Sequence, residues 1–190
     1  MKNFISRLSA LCSTILVTTV TAQAEPLAPG TYKLTPENTQ VEFSIDNFWG
    51  VITTHGKFRL LQGELLMAEP FENSKVQVTI DTNSIDTNIG KRDEHLRDSD
   101  FLATATYPTM TFQSTKVSGN SEAFEVAGLL RLKAVSKPVI LKAQLSKDST
   151  EISATMTLNR QDFGVSYAGK GLADDVQVEL TLRPNAAIAK

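Results

Sequence analysis

The chain has 190 residues, 41% of them hydrophobic and 21% charged, with a formal net charge of −2. That is the composition of one ordinary globular domain and excludes a disordered, collagenous or coiled-coil chain. Nineteen Lys and Arg against 21 Asp and Glu leave no cationic excess to neutralise phosphates, so nucleic acid is not an expected partner.

The first 24 residues follow their own rule. Lys2 and Arg7 are the only charges there, residues 8–20 form a weakly apolar stretch, and Ala22-Gln23-Ala24 places small residues at a cleavage spacing. A secretory signal peptide over residues 1–24 is expected, leaving one domain over residues 25–190 with Glu25 at its N-terminus and a periplasmic location. Cys12 stands in a faint lipoprotein-like context. Leu11 is too large for the position before an acylated cysteine, and four residues between Arg7 and Cys12 are too few for an apolar region. With Cys12 removed, the mature chain has no cysteine for a disulfide, a thiol nucleophile or a thiolate metal site. Beyond the leader no apolar run exceeds four residues, so no transmembrane segment is expected in the mature chain.

Past Pro36 apolar and polar residues alternate with period two, segment after segment, as in strands with one buried face. Val41, Phe43 and Ile45 share the first face, Phe58 and Leu60 the second, Val76, Val78 and Ile80 the third, and Met110 with Phe112 the fourth. Phe124, Val126, Gly128, Leu130 and Leu132 form the fifth. Val139, Leu141, Ala143 and Leu145 form the sixth, and Ile152, Ala154, Met156 and Leu158 the seventh. Val176, Val178, Leu180 and Leu182 close the series. Turn residues such as Ser118-Gly119-Asn120 and the run 146–149 join neighbours as antiparallel hairpins. Between the third and fourth strands lies a polar, helix-compatible run over residues 90–97. Phe101 and Leu102 follow, and Tyr107-Pro108 mark the exit into extended chain. Eight antiparallel strands of this kind close into an all-β, eight-stranded barrel with a short helical insertion between strands 3 and 4. Period two does not decide whether the interior is filled by side chains or left open for a ligand.

Chemistry-bearing residues are sparse. His55 and His95 are the only histidines, and Asp93-x-His95 matches no compact metal-ligand set, so no metal is expected. Asp98 and Asp100, two apart, do not face each other on a helix. The sequence has neither a G-x-S-x-G elbow nor a Gly-rich phosphate loop between strand and helix. An enzyme, hydrolase-like or isomerase-like, would have to use Arg92, Asp93 and His95. A packed barrel acting as a protein-interaction scaffold is the other alternative. Arg92-Asp93 and Arg160-x-Asp162 flank irregular segments, where charged side chains commonly bond loop backbone or each other. Trp49 sits in the first hairpin, either as a core aromatic or near an entrance.

An ordered series of motifs resembles the YceI-like periplasmic family, described as lipocalin-like and polyisoprenoid-binding. The central match is Ser84-Ile85-Asp86-Thr87, Arg92-Asp93-x-His95-Leu96, Ser99-Asp100-Phe101, Tyr107-Pro108-Thr109-Met110-Thr111-Phe112 and Ser114-Thr115. Later matches are Gly128 with Leu130, Lys137-Pro138-Val139, Asn159-Arg160-x-Asp162-Phe163-Gly164 and Asp175-Val176. The resemblance runs from about Tyr32 to Leu182. Asn38-Thr39 replace the His-Ser pair common before the family's first strand, and Ala134-Val135-Ser136 replace a turn that usually holds Gly. The resemblance implies a lipocalin-like barrel that holds a long-chain isoprenoid or similar amphiphilic lipid, without catalysis. No cofactor is expected, and the sequence leaves monomer and homodimer both open. With an open interior, the residues expected to bind the ligand are Phe43, Phe58, Val78, Ile80, Phe112, Leu130, Leu141 and Met156, with Trp49 and Phe163 nearer an end.

Overall fold

The computed structural model describes residues 27–120, 122–169 and 171–184. The expected leader, Cys12 and the N-terminus at Glu25 lie outside them. Nine strands are formed: β1 (Gly30–Leu34), β2 (Thr39–Asn47), β3 (Ile52–Met67), β4 (Lys75–Asp86), β5 (Thr109–Gly119), β6 (Ala123–Leu132), β7 (Val135–Leu145), β8 (Ile152–Asn159) and β9 (Asp175–Leu182). Strands β2 to β9 pair antiparallel around a ring that the β3–β4 pairing closes, so the expected eight-stranded barrel is formed.

Strand β1 is an addition to the expected set. It continues the line of β2 along the same side of β3, pairing Gly30 with Met67 and Leu34 with Gly63, where β2 covers residues 52–58. Five residues with only Tyr32 and Leu34 pointing inward are too few to show alternation, yet Leu34 is 0% exposed. Strand β3 is also far longer than the Phe58–Leu60 pair suggests. A register shift between Leu60 and Gln62 moves the inward set from Phe58 and Leu60 to Gly63, Leu65 and Met67 and turns Leu61 out to solvent. A bulge of this kind reverses the parity of everything after it.

The helix α1 (Gly90–Arg97) forms where the polar run predicts, now between β4 and β5 because β1 shifts the count. Its N-cap, Ile89, supplies no side-chain hydrogen bond, and eight residues are marginal for a helix on propensity alone. Tertiary bonds hold it instead. Arg92 donates from Nε to Thr87 Oγ1 (2.8 Å) and from Nη2 to the Thr87 carbonyl (2.9 Å). Arg97 donates to the carbonyls of Asn83 (2.8 Å) and Ile85 (2.9 Å). Buried Asp93 accepts from the Thr87 amide (2.9 Å) and from its hydroxyl. These bonds clamp α1 across the end of β4, at the barrel end where the β2–β3 hairpin and the segment after β8 also lie. Lys133 joins two parts of the same end, donating to the Phe101 carbonyl (2.7 Å) and the Gly164 carbonyl (2.8 Å).

Candidate ligand-binding cavity

The barrel interior is open. A cavity of about 240 Å³ runs along the strands, from Thr39, Ile152 and Leu182 at one end to Leu96, Phe101 and Leu172 at the other, and its exposed wall is entirely apolar. Strand β9 alone lines it with Val176, Val178, Leu180 and Leu182, a span of roughly 20 Å at about 3.3 Å per residue. The space is long and slender. Such a void has no polar partner to offer an ordered water, so it favours an apolar occupant.

Two glycines explain why large aromatics leave the lumen open. Phe43 is the cross-strand partner of Gly56, and a Cβ added to Gly56 would lie 2.6 Å from Phe43 Cε1 and 2.9 Å from Thr87 Cγ2. The Phe43 ring therefore occupies the space a side chain at 56 would need, and it meets Phe58 with ring centroids 5.3 Å apart. Phe112, whose direct partner is Leu130, reaches diagonally over Gly128 on the neighbouring strand β6. Rings laid over glycine backbone on the neighbouring strand stay against the wall.

Of the residues expected from sequence to bind, Phe43, Phe58, Val78, Ile80, Phe112, Leu130, Leu141 and Met156 all line this cavity. Trp49 and Phe163 do not. Trp49 stands at the apex of the β2–β3 hairpin, 80% exposed with φ +58°, which turns its side chain away from the barrel and excludes the core reading. Phe163, 2% exposed, is packed in the 3-10 turn Arg160–Phe163 and is absent from the lining. Sequence reasoning missed Leu96, Phe101, Leu102 and Leu172, because they come from α1 and irregular segments that show no period of two.

Charged groups near the cavity are turned away from it. Arg160 borders the lumen, yet its guanidinium donates to the carbonyls of Ala173 (2.9 Å) and Val165 (2.6 Å) and to Asp174 (2.7 Å). That is the loop-anchoring role the sequence suggests, with Asp174 as partner, while Asp162 takes Lys137 at 2.6 Å. The Arg92, Asp93 and His95 set does not converge on one point. Arg92 and Asp93 both terminate on Thr87, whereas His95 packs edge-on against Phe101 and Tyr167 and approaches Asp100 at 3.3 Å. At the end of β4 the Asn88 amide, followed by Lys57, holds the Asp86 carboxyl below the usual carboxylate range. Among the described residues no group of three or more His, Cys, Asp or Glu gathers as a metal site, and no helix is long and apolar enough to cross a membrane.

A closed antiparallel barrel around a slender apolar lumen defines a lipocalin-like architecture. The model of the YceI-like domain matches residues 32–183, and the chain belongs to that family. It is 34% identical over 162 residues to a UPF0312 protein of Pseudomonas paraeruginosa, covering 80% of this chain and 84% of that one. To the protein YceI of Escherichia coli O157:H7 it is 41% identical over 117 residues, 60% of this chain and 61% of the relative. Among solved structures, Burkholderia cenocepacia BcnA shares the fold with a TM-score of 0.68 at 20% identity, over 76% of this chain and 94% of that one. A polyisoprenoid binding domain from Saccharophagus degradans shares it with a TM-score of 0.60 at 20% identity, over 84% of this chain and 99% of the other.

Proposed function

We propose that the barrel is a periplasmic binding or carrier protein that holds the long apolar chain of an isoprenoid or a similar amphiphile in its lumen, and that it is not an enzyme. The observation that carries this reading is the entirely apolar, slender cavity along the barrel. The polyisoprenoid binding domain of Saccharophagus degradans, alike in fold, supports the ligand class. The leader-like residues 1–24, with cleavage after Ala24, support export. Each buried CH₂ contributes about 0.8 kcal/mol, so a five-carbon isoprene unit adds at most roughly 3–4 kcal/mol. The tail therefore dominates affinity, and the head group at an end of the lumen is weakly specified. Titration with polyprenols of increasing length tests the reading. Affinity that rises with each unit until the lumen is full supports it, and no binding at any length contradicts it.

A further inference from the structure

Among the described residues eight large hydrophobic side chains are exposed, and five of them lie at one end of the barrel: Phe48, Trp49, Val51 and Ile52 on the β2–β3 hairpin tip and Ile89 at the start of α1. Scattered apolar residues are normal on a surface, whereas a contiguous cluster marks an interaction site. The stretch 47–52 carries no charge. Its apex is held in a fixed shape. Phe48, Trp49 and Gly50 have φ of +50°, +58° and +84°, a left-handed run that two aromatic residues rarely adopt. The Trp49 amide donates to the Gly171 carbonyl (3.2 Å), and Asn47 donates to Thr54 Oγ1 (2.7 Å). The exposed side chains are thus presented by a braced backbone.

The tip is continuous with the lumen. Ile45, two residues before the end of β2, lines the cavity, and so does Leu172, next to the glycine that accepts the Trp49 amide. We propose that this hairpin tip inserts into the surface of a lipid bilayer and sets the end of the barrel against it. A protruding apolar apex suits a fluid phase that opens around it, and it offers no concavity to a folded partner. Tryptophan has the amphipathic character that settles at a membrane interface. Without the expected leader, whose only charges are Lys2 and Arg7, residues 25–190 carry a net charge of −4, and the tip is uncharged, so attachment is by apolar insertion into a zwitterionic surface, without electrostatic attraction. The inference rests on the proposed lumen function for its purpose: a lipid tail passing between bilayer and barrel at this end avoids crossing water.

Trp49 is the only tryptophan in the chain, so its emission reports the tip alone. The purified protein is mixed with phosphatidylcholine and phosphatidylethanolamine vesicles free of isoprenoid. A shift of emission to shorter wavelength, quenching by brominated phosphatidylcholine, and co-sedimentation that persists at high salt are expected. Val51→Glu, at a position 81% exposed, should leave the fold intact and weaken vesicle binding at least about tenfold. Emission unchanged by vesicles, with no co-sedimentation, overturns the proposal. So does a short-wavelength emission without lipid in a protein that sediments as a dimer, since the tip would then pack on a second copy. Because these vesicles carry no isoprenoid, failure to dock leaves the polyprenol titration untouched, and failure of that titration leaves docking measurable.

Discussion

The Phe112 ring rests directly on the backbone of Gly128 across the β5–β6 pair, so closely that a methyl group at 128 would overlap ring carbons Cε2 and Cζ and would lie 2.6 Å from the Gln113 carbonyl oxygen. Alanine ordinarily gains about 0.5–1 kcal/mol over glycine inside a strand. Here overpacking, at about 1–3 kcal/mol, outweighs that gain. Gly128→Ala should lower stability in denaturant unfolding and, by driving the ring into the lumen, reduce lipid binding. Adding Phe112→Leu to Gly128→Ala should recover part of both, as expected for two residues in contact. An alanine variant as stable as the parent would show that the ring is not pinned there.

Leu130 and Leu141 face the open cavity. In a filled core, enlarging either side chain would cost about 1–3 kcal/mol. Into an empty lumen the larger side chain grows freely. Leu130→Trp and Leu141→Phe should therefore leave the melting temperature nearly unchanged while displacing the ligand, measured by melting and titration on the same samples. Variants that unfold would mean the interior is already full.

Asp93 and His95, two residues apart on α1, should behave in opposite ways. Truncating Asp93 leaves the Thr87 amide and hydroxyl without their acceptor in a buried site, at a cost of about 1–3 kcal/mol. Asp93→Asn keeps an acceptor and should lose less than Asp93→Ala in chemical denaturation. His95→Ala, on an exposed face, should leave polyprenol affinity within twofold or so. Loss of lipid binding in that variant would point to chemistry at the insertion.

The strands were legible wherever alternation runs unbroken. Phe124 to Leu132 on β6 and Val176 to Leu182 on β9 present every second residue inward, and that periodicity also identified eight residues of the lumen. Legibility ended where the backbone changes phase. The bulge after Leu60 hid half of β3, and β1 is too short to display a period. Trp49 misled because an aromatic in a hairpin is usually buried, and the left-handed apex that exposes it has no sequence signature of its own. Nor does periodicity show that Gly56 and Gly128 make room for the Phe43 and Phe112 rings of neighbouring strands, since that depends on register.

The β7–β8 turn gives an acid signature. The hydroxyls of Ser146 and Thr150, with the Thr150 amide, hold the Asp148 carboxyl below its ordinary value. A depressed carboxylate contributes stability that is complete above the unfolded-state pKa and is lost as pH falls through the lower folded-state value. Asp148→Asn should thus be less stable than the parent at neutral pH, by an amount that stays constant down to the usual carboxylate range and closes in stronger acid. Melting curves over that range check the sign, and a gap that widens on acidification would refute it.

Mass spectrometry of an organic extract of the purified protein tests the lumen function most directly. Protein expressed with residues 1–24 should carry a co-purifying prenyl lipid or comparable long-chain amphiphile, depleted in Leu130→Trp. Repeated extracts without any such lipid, from protein that also fails to take up polyprenols, would contradict it.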